Sequence, residues 1–154
     1  MSVKIGDKAP DFTLPTDGGG GVTLSKLSGK PVVLYFYPKD DTSGCTREAI
    51  DFSAALAKFQ KLGVAVIGVS KDSLESHEKF RKKHKLKLAL GSDPDIKAAT
   101  AFGVWIEKSM YGRKYMGIDR STFLIDKEGV VRNVWHKVKV PGHVAEVLKA
   151  VQAL

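Results

Sequence analysis

Cys45 is the only cysteine in the chain, and its neighbours set it apart from free cysteines that serve as small buried hydrophobes. Pro38-Lys39-Asp40-Asp41-Thr42-Ser43-Gly44 precedes it and Thr46-Arg47-Glu48 follows. Polar and turn-forming residues on both sides predict a thiol that lies outside any apolar stripe, where an extended run gives way to a helix. With Thr42 as the N-cap, Cys45 is the third helical residue, in the turn whose amide N–H groups lack intrahelical partners. The helix dipole favours a thiolate there, and a neighbouring cation favours it further. The thiolate is the nucleophilic form, so the position points to a reactive sulfur without naming its substrate. A lone thiol excludes an internal disulfide and a Cys-rich zinc site. It makes a reducing, cytoplasmic setting the expectation.

The other candidate ligands and bases carry less. His77, His84, His136 and His143 show no metal-ligand spacing, and surface positions are expected for them. No protease signature surrounds Cys45, so a Cys–His hydrolase fits poorly.

The elements that must position the sulfur are legible. Pro31-Val32-Val33-Leu34-Tyr35-Phe36-Tyr37-Pro38 is a β-branched and aromatic run closed by prolines, the pattern of a strand buried on both faces. From Thr42 to Leu62 the period becomes helical, with Ala49, Phe52, Leu56 and Phe59 on one side, and Gly63 ends it. Val64 to Ser70 is a second buried strand, so the three elements form a parallel crossover. The carboxyl end of such a strand is where α/β sheets place their sites.

A polar helix is expected from about Ser73 to His84 and a short one near Pro94. Ser121 to Ile125 and Val130 to His136 flank the turn Asp126-Lys127-Glu128-Gly129 as an antiparallel hairpin. Pro141-Gly142 opens a last helix with Val144, Val147, Leu148, Val151 and Leu154 on one stripe. Phe12-Thr13-Leu14 and Val22-Thr23-Leu24 flank Gly18 to Gly21 as an N-terminal hairpin. The order predicts an α/β fold with a mixed central sheet flanked by helices.

The 154 residues suit one domain, 1–154, and 43% apolar with 27% charged residues is an ordinary globular composition. No apolar run reaches the ~18 residues that span a bilayer, and Met1 to Asp7 has no apolar h-region or cleavage signal, so secretion through a signal peptide is not expected. Twenty-five Lys plus Arg against 17 Asp plus Glu give +8. The densest basic run, Lys79 to Lys87, reads as a solvated helix face and the turn after it. It lacks the interleaved aromatics or module of a nucleic-acid site, so neither specific nucleic acid nor membrane is an expected partner. Steering of an acidic protein partner remains open.

Pro38-x-x-x-Thr42-x-x-Cys45 matches the peroxiredoxin signature, inside the string from Tyr35 to Ala49. That string is similar to the PrxQ branch, also called bacterioferritin comigratory protein. The resemblance continues at Ile5-Gly6-Asp7-Lys8-Ala9-Pro10-Asp11-Phe12-Thr13-Leu14-Pro15 and at Asp119-Arg120-Ser121-Thr122-Phe123-Leu124-Ile125-Asp126, and so covers essentially the whole chain. It implies a thioredoxin-like fold and a thiol-dependent peroxidase that needs no metal, haem or flavin cofactor. The implied substrates are hydrogen peroxide and alkyl hydroperoxides, and the implied assembly is a monomer or weak dimer.

By this resemblance Cys45 attacks the O–O bond and becomes a sulfenic acid. Thr42 would present its hydroxyl to the peroxide while capping the helix; capping alone is the competing role. Pro38 would shield the sulfur, with a plain turn proline as the alternative. Arg120 would stabilise the thiolate and the charge on the departing oxygen, a surface salt bridge being the simpler reading of any single Arg. Glu48, one turn along the helix, would hold Arg120.

Two positions depart from the branch. Ile50 stands where many relatives carry a resolving cysteine, and Ser73 to His84 supplies none. The resemblance is thus to a 1-Cys variant whose reductant is an external thiol, thioredoxin or glutathione with glutaredoxin. Ser43 replaces a more usual proline. A non-catalytic redox sensor of the same fold is the alternative.

Overall fold

The structure is a computed structural model and describes residues 3–154. In chain order its elements are β1 (Thr13–Pro15), β2 (Gly21–Thr23), β3 (Val32–Phe36), α1 (Ser43–Lys61), β4 (Ala65–Ser70), α2 (Leu74–His84) and β5 (Ala89–Ser92). There follow α3 (Lys97–Ala101), β6 (Trp105–Met110), β7 (Arg113–Ile118), β8 (Ser121–Ile125), β9 (Val131–Trp135) and α4 (His143–Gln152). The central sheet runs β5-β4-β3-β8-β9. β3 pairs parallel with β4 and antiparallel with β8, which makes the sheet mixed. The β1–β2 hairpin stands apart as its own pair.

The continuous apolar run of β3 follows from its central place. Successive side chains point to opposite faces, and both faces are covered. Val33, Tyr35 and Tyr37 join the cluster that includes Ala49, Phe52 and Phe59 of α1, Phe80 of α2 and Val147 of α4. Val32, Leu34 and Phe36 join Ala98 and Ala99 of α3, Phe102, Ile118 and Phe123 on the other face. Tyr35 stacks on Phe52 with ring centroids 4.6 Å apart. Gly68 lies opposite it in β4, where a Cβ would come within 2.6 Å of the Tyr35 ring. Only glycine leaves that ring its place. Gly68→Ala is therefore expected to destabilise the fold by about 1–3 kcal/mol through overpacking, read as a lower urea midpoint at unchanged m-value.

The structure adds elements absent from the sequence reading. The β6–β7 hairpin is one, joined by Tyr111-Gly112 with both residues at positive φ. That backbone is the type I′ pattern, built here with Tyr in place of the usual Asn or Asp. β5 is the other, short and at the sheet edge. The helix expected near Pro94 begins at Lys97, because the Asp93 carboxylate accepts from the amides of Ala98 and Ala99 at 3.3 and 2.9 Å. Along Lys79 to Lys87 the polar helix face carries i,i+4 pairs, Lys79–Glu75 and Lys82–Glu78.

Two of the four histidines are buried, against the expectation of surface positions. His77 is 0% exposed and His143 is also buried. His77 spends both ring nitrogens on internal partners, Asp40 and Gly91 O, and His143 bonds Thr122 Oγ1 through Nε2. Polar satisfaction of this kind is what allows a histidine into a core.

Candidate active site

α1 starts where the loop after β3 ends, and Ser43, Gly44 and Cys45 are its first three residues. Thr42 occupies the N-cap in extended conformation, and its carbonyl accepts from the Thr46 amide at 2.8 Å. Its side chain does not cap the helix. The Thr42 hydroxyl donates instead to Lys39 O at 2.9 Å, which corrects the dual role expected for it. With its proton so engaged, Thr42 Oγ1 is left with free lone pairs.

Cys45 is 1% exposed and belongs to the hydrophobic cluster on the α1 face of the sheet. The expectation that it lies off the apolar stripe is thereby corrected. Counted backwards, the stripe Phe59, Leu56, Phe52 and Ala49 reaches Cys45 at the same helical spacing. First helical turn and core stripe coincide at this residue.

Arg120 reaches the sulfur from the far side. It immediately precedes β8, and backbone bonds fix its position, Asp119 N donating to Val104 O at 2.8 Å and Val138 N to Arg120 O at 3.0 Å. Its Nη2 donates to Cys45 Sγ at 3.2 Å and its Nη1 to Glu48 Oε1 at 2.8 Å. One planar guanidinium thus donates to two acceptors a helical turn apart, which a lysine could not do in the same geometry. Burial works against this charge, yet Cys45 and Glu48 beside it hold Arg120 above its ordinary range. Gly44 makes room, since a Cβ there would lie 3.1 Å from Arg120 Nη2. A glycine in a first helical turn, where it adds nothing to helix propensity, was the sequence signal for this close approach. Lys108 of β6 is a further nearby cation; burial lowers its pKa, while the charges of Asp119 and Cys45 oppose that.

Glu48 is fully buried, and its Oε2 has no hydrogen-bond partner among the described residues. Burial pushes its carboxyl up from 4.5 to about 7, against the pull of Arg120. A carboxyl raised in the folded state stabilises the fold below its unfolded value and loses that contribution as pH climbs to the folded one. Between pH 4.5 and about 7 the cost is about 3 kcal/mol. Glu48→Gln is expected to lack this slope. Urea unfolding across pH 4.5 to 8 should show wild type losing ground to the variant up to about pH 7 and no further; parallel curves would contradict it.

Pro38 sits half-buried in the same loop, directly after the Tyr37 amide bonded to Val69 O. The structure therefore joins Cys45, Arg120 and Glu48 in one chain of contacts and places Thr42 and Pro38 on the loop beside them. Sequence reading missed a second polar group on that loop. Asp40 is buried and accepts from Tyr37 Oη at 2.6 Å, Ser76 Oγ at 2.8 Å and His77 Nδ1 at 2.7 Å. His77 Nε2 donates to Gly91 O at 3.0 Å. Asp40, Asp72 and His77 bring ligand-type atoms within 4.8 Å of one another, but both His77 nitrogens face acceptors and neither offers a lone pair to a cation. Burial opposes a charge on His77, and the bond to Asp40 outweighs that and raises its pKa.

Residues 5–134 match the AhpC/TSA family. The chain is 53% identical to Peroxiredoxin Bcp of Bacillus subtilis over 152 residues, covering 99% of this chain and 97% of that one. It is 48% identical to Peroxiredoxin Bcp of Xanthomonas campestris over 143 residues, 93% of this chain and 89% of that one. The solved structure of the X. campestris bacterioferritin comigratory protein superposes with a TM-score of 0.90 at 44% identity, over 98% of this chain and 96% of that one. A Cys→Ser variant of PrxQ from Xylella fastidiosa gives a TM-score of 0.94 at 39% identity, over 99% and 98%. These neighbours have the thioredoxin-like fold. The chain belongs to the AhpC/TSA family, in its Bcp/PrxQ group of peroxiredoxins, and is a thiol-dependent peroxidase whose single cysteine makes it a 1-Cys member.

Proposed function

We propose that Cys45 is the sulfur that reduces peroxide, and that Arg120, held by Glu48, is the cation that makes it do so. The observation that carries this reading is the 3.2 Å contact of Arg120 Nη2 with Cys45 Sγ in the first turn of α1. The thiolate attacks one peroxide oxygen, the S–O bond forms as the O–O bond breaks, and the departing oxygen takes up a proton to leave as water or alcohol. Sulfur is oxidised by two electrons to the sulfenic acid. Arg120 and the unpaired first-turn amides offset the negative charge that moves from sulfur to oxygen. Thr42 Oγ1 accepts the peroxide hydrogen with the lone pairs left free by its bond to Lys39 O. Pro38 keeps bulk water off the loop.

Hydrogen peroxide and small alkyl hydroperoxides are the substrates; alkyl peroxide reduction activity is ascribed to the X. campestris relative. With no second cysteine, the sulfenic acid is returned to thiol by an outside thiol, thioredoxin or glutathione with glutaredoxin. Such reductants belong to reducing compartments, so the reading is of a cytoplasmic protein, acting as a monomer or weak dimer. No helix among the described residues is long and apolar enough to cross a membrane.

Peroxide consumption measured separately with each reductant tests the reading. Sustained turnover with at least one of them is expected. A single stoichiometric burst with every reductant would instead describe a sensor. An Ile50→Cys version in parallel shows whether an internal resolving thiol changes which reductant works.

A further inference from the structure

Restoring Cys45 takes a thiol from outside the chain, and one exposed face beside the site has no part in the peroxide step. It belongs to the β6–β7 hairpin, which forms a two-stranded sheet of its own. β7 ends at Ile118 and runs directly into Asp119 and Arg120, while Lys108 of β6 interacts electrostatically with Cys45 and Arg120. The hairpin is thus rooted at the guanidinium that holds the sulfur. With six residues to a strand, it extends from there by roughly 20 Å.

Its outer part leaves apolar side chains in water. Among the described residues nine large apolar side chains are exposed, and Met110, Tyr111, Tyr115 and Met116 are four of them. Clustering of this kind marks a contact surface, whereas scattered single residues do not. Tyr111 is 100% exposed at φ 52°. A bulky side chain is disfavoured in that conformation, which Asn or Gly adopts at less cost. A ring wholly in solvent gains no packing in return, so the fold does not explain it.

Cations frame these side chains. Cross-strand partners share a face, and the register sets Lys108 opposite Tyr115 and Met110 opposite Arg113. Gly117 is the floor beneath the first pair, since a Cβ there would lie 3.3 Å from Lys108 Cδ and 3.4 Å from Tyr115 Cε2. Lys114 stands on the other face, 3.7 Å from Glu107, the one carboxylate of the hairpin. Adaptable Met, amphipathic Tyr and Arg are the residues that protein interfaces favour. A second copy of this chain would bring like charges together, so the complementary surface is an acidic one.

We infer that the β6–β7 hairpin is the docking platform for an acidic protein dithiol of the thioredoxin type, which reduces the Cys45 sulfenic acid. The inference rests on the peroxidase reading and names the class of its reductant. The partner's thiolate bonds to Cys45 Sγ as the S–O bond breaks, and the oxygen takes up a proton and leaves as water. The partner's second thiol then displaces Cys45 from the mixed disulfide, so Cys45 returns as thiolate and the partner carries away the disulfide. Glutathione is too small to span the hairpin and gains nothing from it.

The test uses the full chain. Its isolated sulfenic form is reduced in turn by an acidic thioredoxin and by glutathione, and peroxide attack is timed separately. Met110→Ser with Tyr111→Asn, which gives the turn a preferred residue, is expected to slow reduction by thioredoxin about tenfold. Arg113→Glu with Lys114→Glu should slow it about tenfold at low salt and less as salt rises. Both variants should keep wild-type rates of peroxide attack and of reduction by glutathione. Lys79→Glu with Lys82→Glu, the same change of charge on α2, should leave the thioredoxin rate within about twofold.

Wild-type thioredoxin rates in both hairpin variants would overturn the platform and leave the peroxidase reading intact. So would an equal loss with glutathione, or in the α2 variant, or a wild-type sulfenic form that thioredoxin does not reduce. A face that seats a second copy or an anionic lipid surface instead would alter sedimentation or vesicle flotation in the variants at an unchanged thioredoxin rate. A wild-type chain that forms no sulfenic acid would overturn the peroxidase reading itself.

Discussion

Replacing one sulfur with oxygen, Cys45→Ser, is expected to remove peroxide consumption while leaving the fold in place. A serine hydroxyl is close in volume and can still accept from Arg120, so the 3.2 Å contact keeps an acceptor and the α1 cluster keeps its packing. What vanishes is a polarisable atom able to hold negative charge near neutrality and attack oxygen. The chain contains no other thiol to take over. Turnover with any thiol reductant should fall by more than roughly a thousandfold, to the uncatalysed reaction of the reductant. Circular dichroism and the urea midpoint should stay near wild type. A variant that still turns over peroxide would remove Cys45 from the chemistry.

Arg120→Ala has the next largest expected effect, and it acts in two ways. The sulfur loses the only guanidinium that touches it, and the departing oxygen loses a charged donor. Removing one such donor costs roughly 10²–10³ in rate, to be read as the second-order rate of sulfenic acid formation. Glu48, fully buried, simultaneously loses its one hydrogen-bond partner, so stability should fall as well. The two effects separate in a double variant. Arg120→Ala with Glu48→Gln removes the stranded carboxylate and should recover stability without recovering rate. Arg120→Lys should rescue little, because an ammonium cannot fork between Sγ and Oε1. Full rate in the double variant would show that Arg120 matters only to the fold.

How much of this was readable beforehand differs by element. β3, α1 and β4 announced themselves because central strands are buried on both faces and α1 has one long apolar side; periodicity reports burial directly. The β6–β7 hairpin did not, since its residues are mostly exposed and Tyr111-Gly112 is a weak turn signal. At the site, local signals named Cys45 as a first-turn thiol, whereas the resemblance to peroxiredoxins named Arg120, which lies 75 residues away along the chain. No local pattern links those two. From its polar sequence neighbours Cys45 looks to lie off the core, although its neighbours in space are those four, seven and more residues on. His77 escaped for a related reason: a histidine on a polar helix looks exposed until the buried Asp40 of another loop is placed beside it. Charge pairs across elements are set by tertiary contact, and the linear chain carries no trace of them.

The most direct measurement treats the reduced chain with one equivalent of hydrogen peroxide in the presence of dimedone, followed by intact mass and peptide mapping. One dimedone adduct, on Cys45 alone, accumulating to no more than one per chain as peroxide is consumed and suppressed in Arg120→Ala, is the predicted result. Peroxide that persists, with the Cys45 peptide recovered as unmodified thiol, would contradict it.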